Sequence, residues 1–488
     1  MSRQSGTVAA SHAPAAQWLA LAAVAWGAFA FGAVYPWAAW PLAVLCLAAG
    51  VAGLASGSLD RSATSPAFRM TLVIAALAVL AQVVPLPVSL LKTISLPTDD
   101  LLRRINPAYA MGLTAWRPLS IAATDTWRAL GLIASFVCLV LGLSRAMTLT
   151  GARGIVGSLA VVAFLLGLVG IIQQPLYAGS IYRFWQPDSS GGAVFGPFVN
   201  RNHFAGWMLM SLPLSFALMG SGLQHAWRGV KPAWRYRILW MSSPEASRLL
   251  LLALAIVVMT LSLVLTTSRS GMSALALAIV LTGCAMLRGL PGLTRKAAGM
   301  FSLALLVGAV VSWVGVNAVV GRFADADWSE YNNRRGAWSD ARAVAAAFPV
   351  AGTGLNTYHV TSLVYQRHDL RQHYAQAHND YLQLAAEGGL LLLLPLAGCI
   401  IVFARDVRRR LREDRLASTA WWLRRGAVTA LVAIALQETV DFSLQMPGNA
   451  ALFAVVCAIA LHRAPAQPLP RPHTSRNVAQ VDEPGLQA

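Results

Sequence analysis

Long apolar runs, separated by short polar segments, follow one another through most of the chain. Each is long enough to cross a hydrocarbon core of about 30 Å. The runs lie at 17–35, 37–55, 70–88, 127–143, 155–173, 203–221, 249–267, 272–287, 299–320, 389–404, 427–443 and 447–462. Because only helices and closed barrels satisfy their backbone groups in lipid, this pattern predicts an all-α integral membrane protein with about 12 transmembrane helices.

The composition and the placement of charge agree with a membrane protein. The chain is 57% hydrophobic and 12% charged, against roughly 45–50% and 25% in soluble domains. With the N-terminus in the cytoplasm, 24 of the 38 basic residues fall in cytoplasmic loops and tails. This excess predicts that both termini are cytoplasmic. Basic loops also meet anionic lipids, so the net charge of +18 requires no nucleic acid as a partner.

The domain organisation follows from this topology. Residues 1–463 are expected to form one polytopic membrane domain, with a long external loop at about 321–388 that contains short helices between spans nine and ten. The loops at 88–126 and 174–202 share the external face. The Pro-rich segment 464–488 is expected to be a disordered cytoplasmic tail. The five cysteines lie in predicted spans, which favours packing over disulfide formation.

Polar chemistry is concentrated between residues 334 and 389, which hold four of the nine histidines. Ionisable residues placed between spans indicate a functional site. His378 is the candidate for acid/base chemistry, because an imidazole titrates close to neutral pH. The alternative is a structural histidine. The four histidines are nine, five and five residues apart, which matches no common zinc signature. We therefore predict no metal site.

Two further groups of polar residues lie on the same predicted face. Asn200, Arg201, Asn202 and His203 come directly before or at the start of a predicted span, where a helix N-terminus favours an anion. The alternative is a helix cap beside an interfacial arginine. Arg183 lies among aromatic residues typical of the membrane interface, and it is a candidate to face the site.

Three arginines are candidate anion ligands. Arg269 lies in a tight connection, TTSRSG, between two spans, and its fixed fork of donors suits a phosphate at the level of the headgroups. An arginine that only marks a helix end is the alternative. Arg334 and Arg335 begin a predicted helix that runs to about residue 347. The alternative is that both arginines lie on the solvated face of an amphipathic helix and have no role in binding.

Two acidic residues, Glu438 and Asp441, fall near the external end of span eleven. Carboxylates are costly there unless they are paired, so we expect partners among the external arginines. The sequence leaves open whether they form a structural ion pair or take part in the site.

These motifs together resemble the bacterial O-antigen ligases and the related O-antigen polymerases. The similarity lies in NRNHFAG at 200–206, TTSRSG at 266–271, RRGAW through FPVAGTGLNTY at 334–358, and AHNDYLQLAAEGGL at 377–390. It extends in detail over roughly residues 190–400. The resemblance implies transfer of a glycan from undecaprenyl pyrophosphate to an acceptor hydroxyl, on the periplasmic face of the bacterial inner membrane.

The resemblance also assigns roles by position. Arg269 and Arg334 correspond to arginines that hold the pyrophosphate, and His378 corresponds to the loop histidine that acts on the acceptor. Arg335 stands where many relatives have an apolar residue, which leaves the register between the two neighbouring arginines open. Arg335, Arg183 and residues 200–203 are expected to bind substrate.

A pyrophosphate is a good leaving group, so arginines can stabilise it without a cofactor. We expect metal-independent displacement with inversion at the anomeric carbon. The partners would be the lipid-linked donor, a lipid A-core or other glycan acceptor, and membrane lipids. O-antigen or exopolysaccharide polymerase is the first alternative, because ligase and polymerase differ only in the acceptor. A small-anion transporter and a non-catalytic scaffold are the others; a transporter would place polar groups at mid-membrane.

Overall fold

The computed structural model of the protein describes residues 2–56, 63–187, 193–228, 235, 240–288, 328–371, 373–414 and 418–465. Within these residues the fold is built from helices, with one short pair of antiparallel strands, β1 (Leu86–Pro87) and β2 (Trp116–Arg117). The predicted ninth span, 299–320, and nearly all of the predicted tail lie outside the described residues.

The helices in chain order have the following bounds. They are α1 (Ser2–Phe29), α2 (Pro36–Ala55), α3 (Pro66–Val83), α4 (Val88–Ile94), α5 (Leu96–Ile105), α6 (Pro107–Ala110), α7 (Ala123–Thr150), α8 (Arg153–Gln173), α9 (Arg201–Arg228), α10 (Pro244–Leu265), α11 (Arg269–Arg288), α12 (Trp328–Ala347), α13 (Tyr358–Tyr365), α14 (Asp380–Glu413), α15 (Thr419–Gln437) and α16 (Pro447–Leu461).

Seven helices of the described chain are long and apolar enough to cross a membrane: α2, α3, α7, α8, α9, α10 and α14. The helices α11 and α16 contain shorter apolar segments. The helices α1 and α15 overlap further predicted spans. These observations agree with an all-α membrane protein, and the number of twelve spans remains a prediction.

The helix α9 lies at the centre of the bundle, and its first turn lies at one end of the bundle. Phe204 and Trp207 of α9 are fully buried, and the helix packs against α8, α10 and α15. We call the end where α9 and α11 begin and α15 ends the site end. The end where α14 ends and α15 begins is the opposite end. Side chains at the start of α9 therefore project from a rigid support.

A second, smaller core lies among the segments that follow α3 and α11. Leu101, Ile121, Val344, Phe348 and Tyr358 are buried in it together with Ala377 and Ala386. Burial of these apolar side chains joins α5, α12 and α13 to the first turns of α14. These elements form a layer over the site end, and the layer contains the described part of the long loop predicted from the sequence.

The helix α14 is broken at Gly389, whose φ of 53° and ψ of −164° are not helical. The freed backbone bonds to the preceding loop instead, since the amides of Leu390 and Leu391 donate to the carbonyls of Pro349 and Val350 at 2.9 Å each. A Cβ at Gly352 would lie 2.2 Å from the Glu387 carbonyl. Glycine therefore allows the 349–354 loop to pack directly on the break.

Candidate functional site

His378 lies immediately before α14, with its backbone held on two sides. The indole Nε1 of Trp338, on α12, donates to the His378 carbonyl at 3.0 Å. Asn379 caps α14, because its Oδ1 accepts from the Leu382 amide at 3.0 Å. His378 itself has a φ of 52°, a strained conformation for a residue with a side chain. Its imidazole is thereby fixed between α12 and α14.

The His378 ring is buried against aromatic and charged neighbours. Phe442 contacts it edge-on, with 4.8 Å between ring centroids. Its Nδ1 is buried and has no hydrogen-bond partner among the described residues. Burial, and then the Arg334 charge, lower the pKa of His378 to about 4, while Asp441 acts in the opposite direction. The imidazole is therefore neutral at neutral pH and can accept a proton.

The other three loop histidines each contact protein partners. His359 Nε2 lies 3.5 Å from Asp125 Oδ2. His368 Nδ1 lies 2.7 Å from Asp340 Oδ1, and His373 Nε2 lies 2.9 Å from Ser362 Oγ. These contacts give each of the three a structural explanation. His378 remains the histidine for which a catalytic role is predicted.

The turn at residues 440–442, just after α15, brings the separate motifs together. Arg334 Nη1 donates to the Val440 carbonyl at 3.0 Å. Asp441 accepts from the Ser270 hydroxyl at 3.3 Å, and its Oδ1 lies 3.9 Å from His203 Nε2.

Phe442 completes this meeting point. Its ring contacts the His203 ring edge-on, with 4.7 Å between centroids, as well as the His378 ring. One turn thus contacts side chains from the starts of α9 and α11, from α12 and from the segment before α14.

The start of α9 is joined to the turn before α11. Arg201 Nη1 donates to Thr267 Oγ1 at 2.8 Å. Asn200 Oδ1 accepts from the Asn202 amide at 2.8 Å, as a capping residue does. Asn202 uses its carbonyl to accept from Gln437 Nε2 at 3.0 Å. The predicted polar group at 200–203 therefore contacts both the TTSRSG connection and the end of α15.

The candidate arginines differ in their surroundings. Arg269 is the first residue of α11; its side chain is exposed and forms no ion pair within the described part of the chain. Arg334 is half-buried toward Val440, whereas Arg335 is exposed. The bond to Val440 places Arg334 beside the turn at 440–442.

Arg183 lies elsewhere. It is exposed, with a φ of 67°, in a loop whose aromatic residues stack with Phe31 near the start of α2. No contact joins its side chain to the other candidates in the described residues. Its role in substrate binding stays a prediction.

The acidic residues of span eleven behave differently from each other. Asp441 is fully buried and contacts the candidate residue His203 and the hydroxyl of Ser270. The sequence left open whether Asp441 lies among the candidate residues. Glu438 is also buried, and its carboxyl group lies against the Asp380 carboxyl group instead of pairing with an arginine of the described chain. Sequence reasoning did not single out Phe442, and it gave Thr267 no role of its own within the TTSRSG motif, because neither residue type carries a charge.

The site combines guanidinium, imidazole and carboxyl groups. Arg334 and the neutral His378 imidazole lie near the buried Asp441 carboxyl group. Arg201 and Arg269 belong to the two segments that meet beside it, and Glu438 is a second buried carboxyl group nearby. The described residues contain no group of three or more acidic, histidine or cysteine side chains arranged to hold a metal ion. Guanidinium groups carry a fixed positive charge.

A comparison with protein families matches residues 254–397 to the O-antigen ligase family. The chain carries an O-antigen ligase domain. This match confirms the superfamily resemblance inferred from the motifs. No match was found among curated proteins. The O-antigen ligase domain contains Arg269, Arg334, Arg335 and His378, whereas residues 200–203 and Asp441 come from the flanking helices. The site therefore combines the matched segment with spans on both sides of it.

Proposed function

We propose that the protein is a glycosyltransferase of the inner membrane that transfers a glycan from undecaprenyl pyrophosphate to an acceptor hydroxyl, as an O-antigen ligase. The observation that carries this proposal is that the turn at 440–442 contacts Arg334, His378 and Ser270, the residue after Arg269. Arg201 bonds to Thr267 of the same TTSRSG connection. The family match supports it independently. In the proposed topology the site faces the periplasm.

The arginines would hold the pyrophosphate of the donor. Arg269 and Arg201 retain several guanidinium donors that no described residue uses, and Arg334 places its charge beside His378. As the glycosidic bond breaks, negative charge develops on the bridging oxygen of the pyrophosphate. Fixed guanidinium groups stabilise that charge without reorganising.

His378 would act as the base for the acceptor. Its neutral imidazole takes the proton of the attacking hydroxyl, the hydroxyl oxygen bonds to the anomeric carbon, and the bonding pair of the old C–O bond leaves with the pyrophosphate. A single displacement inverts the anomeric carbon. Binding of the anionic donor offsets the Arg334 charge that lowers the pKa of His378, so the imidazole becomes more basic when the donor is present.

The experiment uses the purified protein with a lipid-linked glycan donor. Two acceptors are offered separately: a lipid A-core glycolipid and a second molecule of the lipid-linked glycan. Transfer to the first supports a ligase, and chain extension on the second supports the polymerase alternative. Transfer to neither, by protein that is folded and inserted, would refute the proposal.

A further inference from the structure

A small cavity lies in the layer over the site end, between α5 and the C-terminal ends of α12 and α13. Its volume is about 210 Å³, and its lining includes Asp100, Leu101, Arg104, Val364 and Tyr365. Because a water molecule occupies roughly 30 Å³ of liquid, the cavity has room for a small polar ligand. None of these residues belongs to the arginine and histidine cluster.

Two charged side chains of α5 flank the cavity without pairing. Asp100 and Arg104 are four residues apart and exposed, and they form no ion pair in the described chain. Their immediate neighbours do pair: Arg103 Nε lies 3.0 Å from Asp99 Oδ2. Tyr109 donates a second bond to Asp99 at 2.6 Å. The bonds of Asp99 to Arg103 and Tyr109 link α5 to α6. The Asp100 carboxylate and the Arg104 guanidinium stay available at the cavity, as an acceptor and a set of donors.

Tyr365 supplies an aromatic wall. Its ring lies edge-on to Phe348 at 5.8 Å, which fixes its orientation. Burial raises the pKa of the Tyr365 hydroxyl, with Arg104 opposing the shift and Asp100 adding to it. The hydroxyl is therefore protonated at neutral pH and can donate a hydrogen bond.

The net charge of the cavity lining differs from that of the arginine cluster. One carboxylate and one guanidinium give the lining no excess positive charge, so a phosphate gains little from binding there. A ligand rich in hydroxyl groups can both donate to Asp100 and accept from Arg104. An apolar face on the same ligand can lie against the Tyr365 ring.

We propose that this cavity binds one neutral sugar residue of a glycan that takes part in the transfer, an inference that rests on the proposed function. Leu101 and Tyr365 share a hydrophobic core with Ala377, the residue before His378. A sugar held in the cavity is thus bound by the same packed layer that positions the candidate base. The glycan belongs either to the donor or to the acceptor.

Saturation-transfer NMR tests the binding directly. The probes are the methyl glycosides of glucose, galactose, mannose and N-acetylglucosamine, added to the purified full-length protein. We expect saturation transfer to at least one of them. Tyr365→Ala and Asp100→Ala should each weaken that binding on the order of tenfold, the loss expected for an aromatic contact or a hydrogen bond to a charged group.

Trp116→Ala is the matched control, because Trp116 is an exposed aromatic residue of the same layer that does not line the cavity. It should leave glycoside binding unchanged. Asp100 is exposed, so its variant remains informative if Tyr365→Ala impairs folding. No saturation transfer to any glycoside, or equal transfer in the wild type and in a folded Asp100→Ala protein, would overturn the proposal.

The transfer assay then identifies the source of the sugar. In the cavity variants we expect a raised KM for one substrate at unchanged kcat: the donor if its glycan occupies the cavity, the acceptor if the acceptor glycan does. Unchanged KM for both overturns the role in transfer. Failure of the proposed function is distinct from this result, because it would leave wild-type protein inactive while glycoside binding is still measured.

Discussion

Arginines at the two ends of the bundle differ in how completely the protein satisfies them. At the opposite end, Arg424 is fully buried, with its Nε 2.7 Å from Asp414 Oδ2 and its Nη2 2.8 Å from the His462 carbonyl. Arg410 bonds to Glu413 at 2.8 Å and to the Ala63 carbonyl at 2.6 Å, and only its Nε is buried without a partner among the described residues. At the site end, Arg201 bonds to one hydroxyl and Arg269 is exposed without an ion pair in the described chain.

Buried histidines follow the same division. His462 Nδ1 lies 2.6 Å from the Ile459 carbonyl at the opposite end. The Nδ1 of His378 is buried with no partner among the described residues. A buried polar group without a partner is costly for stability. We therefore expect the contacts of Arg424 and His462 to hold the helices together, and we expect the His378 imidazole to be available to a ligand.

The largest expected effect is on transfer by Arg269→Ala and Arg334→Ala. Each variant removes a guanidinium from the pyrophosphate, and we expect losses of at least about 10²–10³ in turnover while the protein stays folded and inserted. Lysine at either position should restore little, because a point charge cannot form a bidentate contact. Turnover is measured with purified protein. Arg128→Ala, which removes an exposed arginine paired with Asp125, is the control. Near-normal transfer by both alanine variants would disprove the assigned role.

His378→Ala should lower turnover by about 10²–10⁴, the usual contribution of a positioned base, while donor binding persists. His359→Ala, His368→Ala and His373→Ala should have much smaller effects, since each of these histidines already contacts a protein partner. The measurement is steady-state transfer with donor binding assayed separately. If His378→Ala kept wild-type turnover, the residue would be a structural anchor of the loop.

At the opposite end, Arg424→Ala should mainly affect stability. Removal of the guanidinium leaves Asp414 buried without its partner, and breaking such a pair costs about 3–5 kcal/mol. Denaturant unfolding of the purified protein measures this loss. Transfer per folded molecule should be unchanged. A loss of turnover in fully folded Arg424→Ala protein would contradict the division between the two ends.

The dependence of transfer on acid pH gives a smaller, graded effect. Because the pKa of His378 is lowered to about 4, its neutral form persists as the pH falls through 6.5. We expect kcat/KM to stay nearly constant down to about pH 5 and to fall below it, since kcat/KM reports the free enzyme. An acid limb centred near 6.5 would show that His378 titrates normally or is not the base.

A chelator should have the smallest effect. Arginines supply the positive charge in the proposed mechanism, so transfer in EDTA should equal transfer without it. The assay is run with and without added nucleotide as a second control. A loss of activity that a divalent cation reverses would require another account of how the leaving group is stabilised.

The sequence by itself determined the class of fold and the resemblance to the O-antigen ligase family. Apolar runs predict membrane helices because hydropathy is a local property that survives any arrangement of the helices. Motifs around Arg269 and His378 were recognisable because their residue types are unusual between spans.

Only the tertiary structure decided how these pieces meet. The contacts of residues 440–442 join four segments far apart in sequence, and no local pattern encodes such contacts. The same holds for the bond between Arg334 and Val440, which depends on how α12 is rotated against the end of α15. Helical periodicity places neighbouring residues on different faces, but only packing determines which face meets the site.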